Sequence, residues 1–271
     1  MEYLSEKFSL EGKTVAVTGG GGTIAKALAE AYIQAGANIT LWGHRAQSIE
    51  ETKRFLSDKL SCEDRVQVVV CDTSQEEDVR KAVDACCEIF GGIDVLVNAA
   101  GGNRGKAPLV DLDIKVFQEV VNLNLIAGLV VPTKVVAAYW IAEERPGCII
   151  NMASMSSYIP LSGVWAYNAS KSAVKNLTMA CAKEFAHAGI RVNAIAPGFF
   201  IGKQNRDLLI DRETKEFTPR GMDVLRHTPM GRFGDVQELA GVALLLASEK
   251  AAGFITGVTI PVDGGYLVDN I

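Results

Sequence analysis

Short apolar runs alternate with longer segments of helical periodicity along most of the chain. The runs are almost continuously apolar and rich in β-branched residues, as in strands that are covered on both faces. They predict seven strands, at Thr14–Val17, Ile39–Trp42, Val66–Val70, Val95–Val97, Cys148–Asn151, Val192–Ile195 and Val258–Pro261. The predicted helical segments span residues 23–35, 46–60, 75–90, 113–143, 164–188 and 235–248. This alternation predicts an α/β fold with one parallel, doubly wound sheet.

One irregular stretch interrupts the alternation, at residues 199–230 after the sixth predicted strand. It mixes charged residues with Pro219, Gly221 and Pro229. Ligands of open α/β sheets bind beyond the carboxyl ends of the strands, so we expect this stretch to form a lid over a substrate. Elsewhere no linker-like segment divides the chain, and residues 1–271 are predicted to form a single domain.

Composition narrows the classes of partner. Hydrophobic residues make up 48% and charged residues 22%, and the net charge is −5, which argues against a nucleic-acid or anionic-membrane surface. The start of the chain lacks an apolar signal segment, and the apolar run 120–142 contains Asn122, Asn124, Pro132 and Lys134. We therefore predict a cytoplasmic protein with a small-molecule substrate. Six cysteines without a CxxC pair and three scattered histidines predict no metal site.

Four consecutive glycines follow the first predicted strand directly and lead into a helix. Glycine lets backbone N–H groups approach a pyrophosphate, and a helix N-terminus favours its negative charge. We therefore predict a dinucleotide-phosphate site at Gly19, Gly21, Gly22, Thr23 and Ile24. The alternative is a merely flexible turn, whereas a Walker loop is excluded because no Gly-Lys-Ser/Thr follows.

The second and third strands end in further candidates for nucleotide binding. An NAD site usually has an Asp or Glu after the second strand, but His44 and Arg45 follow Gly43 here. An arginine without a competing carboxylate suits a 2′-phosphate, so the sequence favours NADP, with NAD as the alternative. Asp72 and Thr73 close the third strand, where Asp72 is placed either to accept from the adenine amino group or to cap the next helix.

Tyr167 and Lys171 stand four residues apart in a predicted helix, and so share one helix face. A free tyrosine has a pKa of about 10, too high for proton transfer near neutrality. A nearby ammonium favours the phenolate and lowers that pKa, which predicts a proton-transfer tyrosine. Taken alone, the pair also fits an ordinary surface pair of a helix.

Other motifs surround this pair. Ser154 precedes Tyr167 by thirteen residues at the end of a strand, Asn98-Ala-Ala-Gly101 ends the fourth strand, and Asn124 lies in a helix. Pro197-Gly198 ends the sixth strand. In order and spacing, from Lys13 to Tyr266, the chain resembles the short-chain dehydrogenase/reductase family, whose fold is a Rossmann-type sheet.

The resemblance implies roles at matching positions. Tyr167 would be the general acid/base, Lys171 would lower its pKa and hold the nicotinamide ribose, and Ser154 would bind the substrate oxygen. Asn124 would hold a water of a proton relay. Two groups would border the cofactor, the adenosine side being lined by Asn98, Ala99, Ala100 and Gly101, and the nicotinamide by Pro197 and Gly198.

The chain departs from the family pattern at several positions. Thr23 and Ala25 replace two loop glycines, Ala99 replaces an asparagine, and Gly202 stands where a threonine usually contacts the nicotinamide amide. The contact with the nicotinamide amide must then come from the backbone or from Phe200.

Two segments of the chain predict the class of substrate. The segments around Asn103 and residues 197–206 resemble a branch that acts on sugar acids such as D-mannonate and D-fructuronate. Such a ligand would use amides and cations, here Asn103, Gln204, Asn205 and Arg206, which are otherwise solvated loop residues. Alternatives are a 3-oxoacyl thioester or polyol reductase, and a dinucleotide-binding sensor without turnover. The resemblance also implies a homo-oligomer, a dimer or tetramer.

Overall fold

Seven parallel strands form one sheet in the order β3-β2-β1-β4-β5-β6-β7. The computed structural model describes residues 2–202 and 206–269. Its strands are β1 (Thr14–Thr18), β2 (Asn38–Gly43), β3 (Val66–Val70), β4 (Val95–Asn98), β5 (Gly147–Met152), β6 (Ile190–Pro197) and β7 (Thr259–Val262). The predicted fold class is confirmed, and each strand lies within a few residues of its predicted position.

The middle of the sheet determines where a ligand can bind. β1 pairs with β2 through Thr14↔Asn38 and with β4 through Val15↔Val95. The chain progresses outward in one direction from β1 to β3 and in the other from β4 to β7. Connections therefore leave β1 and β4 toward opposite faces, and a crevice opens above their carboxyl ends.

Eleven α-helices are found in the described part of the chain. They are α1 (Glu2–Phe8), α2 (Thr23–Gln34), α3 (Ala46–Leu60), α4 (Glu76–Phe90), α5 (Ile114–Val121), α6 (Val131–Ala142), α7 (Trp165–Phe185), α8 (Arg206–Leu209), α9 (Pro219–Arg226), α10 (Ala240–Ala247) and α11 (Glu249–Ala252). The sequence pattern missed α1, α8, α9 and α11, because one or two turns are too short to show a helical period.

The sheet separates two apolar cores, as expected of strands covered on both faces. Leu28 of α2, Leu56 of α3 and Leu246 of α10 pack on one face. Val83 of α4 and Trp140 of α6 pack on the other. Alternate residues of the central strand enter opposite cores, which explains why its sequence is apolar throughout.

The predicted helix at 113–143 is continuous but not uniform. Asp113 caps it by accepting hydrogen bonds from the N–H groups of Lys115 and Val116. Between α5 and α6 the backbone adopts a π-helix at Asn122–Val130, a rare geometry that is frequent at functional sites. The stretch Ile114–Ala142 is long and apolar enough to cross a membrane, but 56% of its most apolar window is buried. That burial is typical of the core helix of a globular protein.

The predicted lid at 199–230 contains α8 and α9, joined through a bridge between Ile210 and Phe217. Its end packs on the last segment of the chain. The N–H of Met230 donates to the Gly264 carbonyl at 3.1 Å, and His227 Nδ1 lies 2.8 Å from Asp269 Oδ2. The stretch is therefore anchored at its carboxyl end beside β7.

Candidate active site

The glycine loop packs tightly above β1. A Cβ atom built on Gly19 would lie 2.8 Å from the Ala100 Cα, and one on Gly21 would lie 2.5 Å from Ser48 Oγ. Gly22 caps α2 without a side-chain hydrogen bond, and the first turn carries no acidic residue. No acidic side chain of the first turn repels an anion at the N–H groups of Thr23 and Ile24. These groups therefore fit the pyrophosphate of a dinucleotide.

We expect Gly19→Ala to destabilise the protein and weaken dinucleotide binding. Gly19 has a φ of +64°, and its new methyl group would press on the backbone of Ala100. The left-handed conformation and the overpacking together should lower the free energy of unfolding by roughly 2–4 kcal/mol, as measured by urea denaturation.

Gly12→Ala is the matched control for that experiment. Gly12 also has a positive φ, +73°, but no heavy atom lies within 4 Å of its built Cβ. It should lose only about 1–2 kcal/mol and retain dinucleotide affinity. Equal losses in the two variants would show that contact with the Ala100 backbone is unimportant.

The residues predicted to bind the adenosine half lie around the same loop. His44 and Arg45 are exposed, and Arg45 is the N-cap residue of α3, whose Ser48 abuts Gly21. Asp72 is exposed and Thr73 is buried after β3. The cap of α4 is Gln75, and Asp72 instead accepts hydrogen bonds from the N–H and Oγ of Ser74, so capping by Asp72 is not observed.

The side chain of Asn98 does not line the crevice, contrary to the expectation for the adenosine side. It is 1% exposed and donates to Thr133 Oγ1 at 3.0 Å and to Asn151 Oδ1 at 2.9 Å. Asn151 in turn donates to Thr178 Oγ1 at 3.0 Å. This buried chain of hydrogen bonds ties α6, β4, β5 and α7 together beneath the site.

Thr18, which the sequence reasoning did not select, holds the residues after Asn98. Its Oγ1 accepts hydrogen bonds from the N–H groups of Ala99 and Ala100, both at 3.0 Å. The polar Thr18 between an apolar strand and the glycine loop was the sequence feature that could have indicated this contact. The contact fixes the ends of β1 and β4 to each other and places Ala99, Ala100 and Gly101 at the crevice.

Ser154, Tyr167 and Lys171 come together at the carboxyl ends of the central strands. Ser154 follows β5, while Tyr167 and Lys171 lie in the first two turns of α7. Ser154 and Lys171 are each 5% exposed, and the Lys171 Nζ lies 5.7 Å from the centroid of the Tyr167 ring. The Lys171 Nζ donates to the Met152 carbonyl at 2.7 Å, an acceptor that no side-chain pattern could reveal.

The pKa values of these groups differ in one respect from the expectation. Burial raises the pKa of the Tyr167 phenol, and a hydrogen bond with Ser154 opposes that rise. Burial lowers the pKa of Lys171 to about 8. The causes of the Tyr167 shift are burial and the Ser154 hydrogen bond, and the expected lowering by Lys171 stays a prediction. In this geometry Ser154 is the group that favours the phenolate.

Asn124 lies beneath this trio, in the π-helix. Its Nδ2 donates to the carbonyls of Gly102 at 2.7 Å and Val120 at 2.9 Å, and its Oδ1 accepts from the Gly102 N–H at 3.0 Å. The amide therefore positions the segment after β4, and its role in a water relay stays a prediction. A Cβ on Gly101 would lie 2.7 Å from Asn124 Oδ1 and 3.5 Å from Lys171 Nζ, so only glycine leaves this space open.

The other predicted residues fall in two groups. Pro197 ends β6, and the Gly198 N–H donates to the Val262 carbonyl at 2.9 Å, which places both beside β7 at the edge of the crevice. Asn103 is exposed and donates to the Gly105 carbonyl, and Arg206 begins α8. Gln204 and Asn205 lie outside the described residues. Among the described residues, no group of three or more His, Cys, Asp or Glu side chains could hold a metal ion.

Comparison with known proteins agrees with this geometry. A family profile of the short-chain dehydrogenase type, described as enoyl-(acyl carrier protein) reductase, matches residues 20–267. The chain belongs to the short-chain dehydrogenase/reductase family. It is therefore an NAD(P)-dependent oxidoreductase of that family, as the motifs predicted.

Three relatives are similar to this family member over nearly their whole length. A 2-dehydro-3-deoxy-D-gluconate 5-dehydrogenase of Bacillus subtilis is 36% identical, with 98% of this chain and 99% of the relative covered. A crystal structure from Haemophilus influenza, provisionally assigned as a D-mannonate oxidoreductase, has bound NAD, 32% identity, a TM-score of 0.88 and coverage of 98% and 99%. A gluconate 5-dehydrogenase of Burkholderia cenocepacia, in complex with NADP and tartrate, has 32% identity, a TM-score of 0.87 and the same coverage.

Proposed function

We propose that this oxidoreductase interconverts a secondary alcohol and a ketone on a sugar acid of the gluconate or mannonate type. The observation that carries the proposal is the convergence of Ser154, Tyr167 and Lys171 beside a glycine loop at the carboxyl ends of β1 and β4. When bound there, a nicotinamide dinucleotide would accept a hydride from the alcohol carbon or donate one to the ketone.

Tyr167, Ser154 and Lys171 would control the transfer of the hydroxyl proton. In oxidation, the Tyr167 phenolate removes the hydroxyl proton of the alcohol as its C–H bond gives up a hydride. In reduction, the Tyr167 phenol returns that proton to the developing alkoxide. Ser154 has one O–H, which would donate either to the substrate oxygen or to the phenolate, and donation to the phenolate lowers the pKa of Tyr167. Lys171 would hold the ribose hydroxyls and keep positive charge near the reacting oxygen.

The choice between the two dinucleotides is proposed in favour of NADP. Arg45 is exposed at the N-cap of α3, next to the glycine loop, and the described residues place no carboxylate in an ion pair with it. A guanidinium in that position suits a 2′-phosphate. Relatives with bound NAD and with bound NADP both occur, so the residues after β2 are the basis of this choice.

We therefore expect Arg45→Ala to raise the Kd for NADPH by about 10- to 100-fold while changing that for NADH little, because a lost charge-assisted hydrogen bond is worth about 1.5–3 kcal/mol. Fluorescence titration of both dinucleotides measures the effect. Equal or tighter binding of NADH by the unaltered protein would contradict the preference for NADP.

The sugar-acid class is supported by the relatives that act on gluconates and by the polarity of the lid. α9 and its flanks carry several charged side chains, among them Arg212, Glu216, Arg220 and Asp223. Such a cover suits a hydroxylated, charged substrate better than a long acyl chain.

A substrate panel tests the proposal. Gluconate, mannonate and their keto partners are assayed by absorbance at the nicotinamide band, in both directions and with both dinucleotides. Acetoacetyl thioesters and neutral polyols are the comparison compounds. Turnover of a thioester or a polyol alone would replace the sugar-acid proposal with the corresponding alternative, and tight dinucleotide binding without any turnover would favour a sensor.

We also propose a homo-oligomer. Five apolar side chains of the α5–α6 and α7 region are at least a third exposed, namely Ile114, Ile126, Ile141, Trp165 and Met179. Single exposed apolar residues are ordinary, but a set on neighbouring helices favours an interface between copies. Sedimentation at micromolar concentration should give a dimer or tetramer, and a monomer would remove this proposal.

A further inference from the structure

The loop that follows β4 is fixed at both ends beside the proposed catalytic side chains. At its start, Gly101 and Gly102 lie against Asn124 and Lys171. At its other end, the Ala107 N–H donates to the Gly163 carbonyl at 3.1 Å, and the Ala107 carbonyl accepts from Trp165 Nε1 at 3.0 Å. The loop therefore crosses the mouth of the site from Lys171 to the beginning of α7.

The segment before α7, which contains Gly163, is itself held in place by Asn168, the residue after Tyr167. Asn168 donates from Nδ2 to the Leu161 carbonyl at 2.8 Å, and its Oδ1 accepts from the Leu161 N–H at 3.2 Å. The position of Gly163 is thus coupled to the first turn of α7. Residues that contact Gly163 keep a defined position relative to Tyr167.

Lys106 makes that contact. A Cβ atom built on Gly163 would lie 2.8 Å from Lys106 Cγ and 3.2 Å from its Cε, and the φ of Gly163 is +73°. The aliphatic stem of Lys106 therefore lies along the Gly163 backbone. Gly163 stands four residues before Tyr167 in the chain. This packing orders the stem, and the residue as a whole remains exposed.

Most other cations around the mouth already have a carboxylate partner. Arg104 lies 3.2 Å from Glu119, Arg226 lies 3.2 Å from Asp223, and Arg212 pairs with Asp207. Across residues 2–202 and 206–269, Lys106 has no ion pair. Arg206 and Arg220 have none either. The charge of Arg206 lowers the pKa of Asp207, and the charge of Arg220 acts to lower the pKa of Tyr266.

We infer that Lys106 binds the carboxylate of the substrate and thereby selects sugar acids over neutral sugars and polyols. This inference rests on the proposed function, because it concerns the non-reacting end of the same substrate. With the reacting carbon at Ser154 and Tyr167, the acid group would then lie against the loop at 102–107, whose far end meets the start of α7. An ammonium without a competing carboxylate supplies up to three donors to that group.

The test compares Lys106→Gln with the unaltered enzyme on a sugar acid and on the neutral polyol of the same stereochemistry. For the acid, kcat/KM should fall by about 10- to 100-fold, mostly through KM, because a charge-assisted hydrogen bond is lost. For the polyol, kcat/KM should stay within about twofold. Raising the ionic strength should increase the KM for the acid in the unaltered enzyme and have little effect in the variant.

Arg104→Gln is the matched comparison, since Arg104 lies two residues away in the same loop but is paired with Glu119. Loss of an exposed ion pair should change kcat/KM for the acid by less than about fivefold. A larger loss in Arg104→Gln than in Lys106→Gln would assign the carboxylate to Arg104 and overturn the inference.

The remaining outcomes separate this inference from the proposed function. If the unaltered enzyme oxidises sugar acids and Lys106→Gln keeps their KM, the inference is wrong and the proposed function stands. Equal losses on the acid and the polyol would show that Lys106 only supports the loop, which also overturns it. If no sugar acid is turned over, the proposed function fails and the inference fails with it.

Discussion

Tyr167→Phe lowers kcat by about 10²- to 10⁴-fold in the expected result, because that is the usual contribution of general acid–base catalysis. The change removes one oxygen and keeps the ring, whose centroid lies 5.7 Å from the Lys171 Nζ. Steady-state kinetics with the best substrate of the panel measure the loss. Dinucleotide affinity, followed by fluorescence titration, should stay nearly unchanged, since the phenol acts on the substrate proton.

Tyr158→Phe is the matched control for the loss of a phenol. Tyr158 lies near the site, and its hydroxyl donates to the Thr259 carbonyl at 3.0 Å instead of facing the crevice. Its removal should leave kcat within a small factor of the original value. Full activity in a folded Tyr167→Phe protein would show that another group transfers the proton, and the proposed mechanism would be abandoned.

The Tyr167 pKa reflects two opposing effects in the folded protein. Burial disfavours the phenolate, whereas a hydroxyl that donates to the phenolate favours it. The sequence pointed to Lys171 as the group that lowers the Tyr167 pKa, because ammonium and phenol share a helix face. The shared face brings the Lys171 Nζ to 5.7 Å from the Tyr167 ring centroid, but spacing alone did not reveal that this ammonium also donates to the Met152 carbonyl at the end of β5.

The sheet could be predicted because its strands are covered on both faces, which forces near-continuous apolar runs into the sequence. The site could be located because Gly19, Ser154 and Asn98 each end a strand, and parallel strands bring their ends to one edge. The direction of a side chain at a strand end was not predictable. The Asn98 side chain donates into the buried network, whereas the Thr18 hydroxyl accepts from the backbone after β4, and both are polar residues after apolar runs.

Backbone geometry set a second limit. The helical period at 113–143 was read correctly, but a π-helix of nine residues leaves no distinct signal in a polar–apolar pattern. In this chain it carries Asn124, whose amide holds Gly102. The small helices of the lid were equally hidden, since α8 and α9 each bury only one apolar side chain, Leu209 and Val224.

Lys171→Met should abolish most of the activity and yet stabilise the folded protein at pH 7. Burial lowers the pKa of Lys171 from its ordinary value of 10.5 to about 8, so the charged ammonium is costly in the folded state. At about 1.4 kcal/mol for each pKa unit, the cost at neutral pH is about 3 kcal/mol. The lost hydrogen bond to Met152 offsets about 1 kcal/mol, which leaves a net gain of about 2 kcal/mol.

The pH dependence distinguishes this cause from a general effect of an apolar residue. Between pH 8 and 10.5 the unfolded chain holds a proton on Lys171 that the folded chain has released, so the stability contributed by Lys171 rises with pH in this window. The difference in free energy of unfolding, unaltered protein minus Lys171→Met, should therefore increase from pH 7.5 to 10.5 in urea denaturation. Lys183→Met, at an exposed lysine of the same helix, is measured alongside as the control for replacing a lysine by methionine. A flat difference for Lys171 would mean that its ammonium is hydrated in the folded protein. The proposed mechanism, in which buried positive charge lies next to the reacting oxygen, would then lose its electrostatic basis.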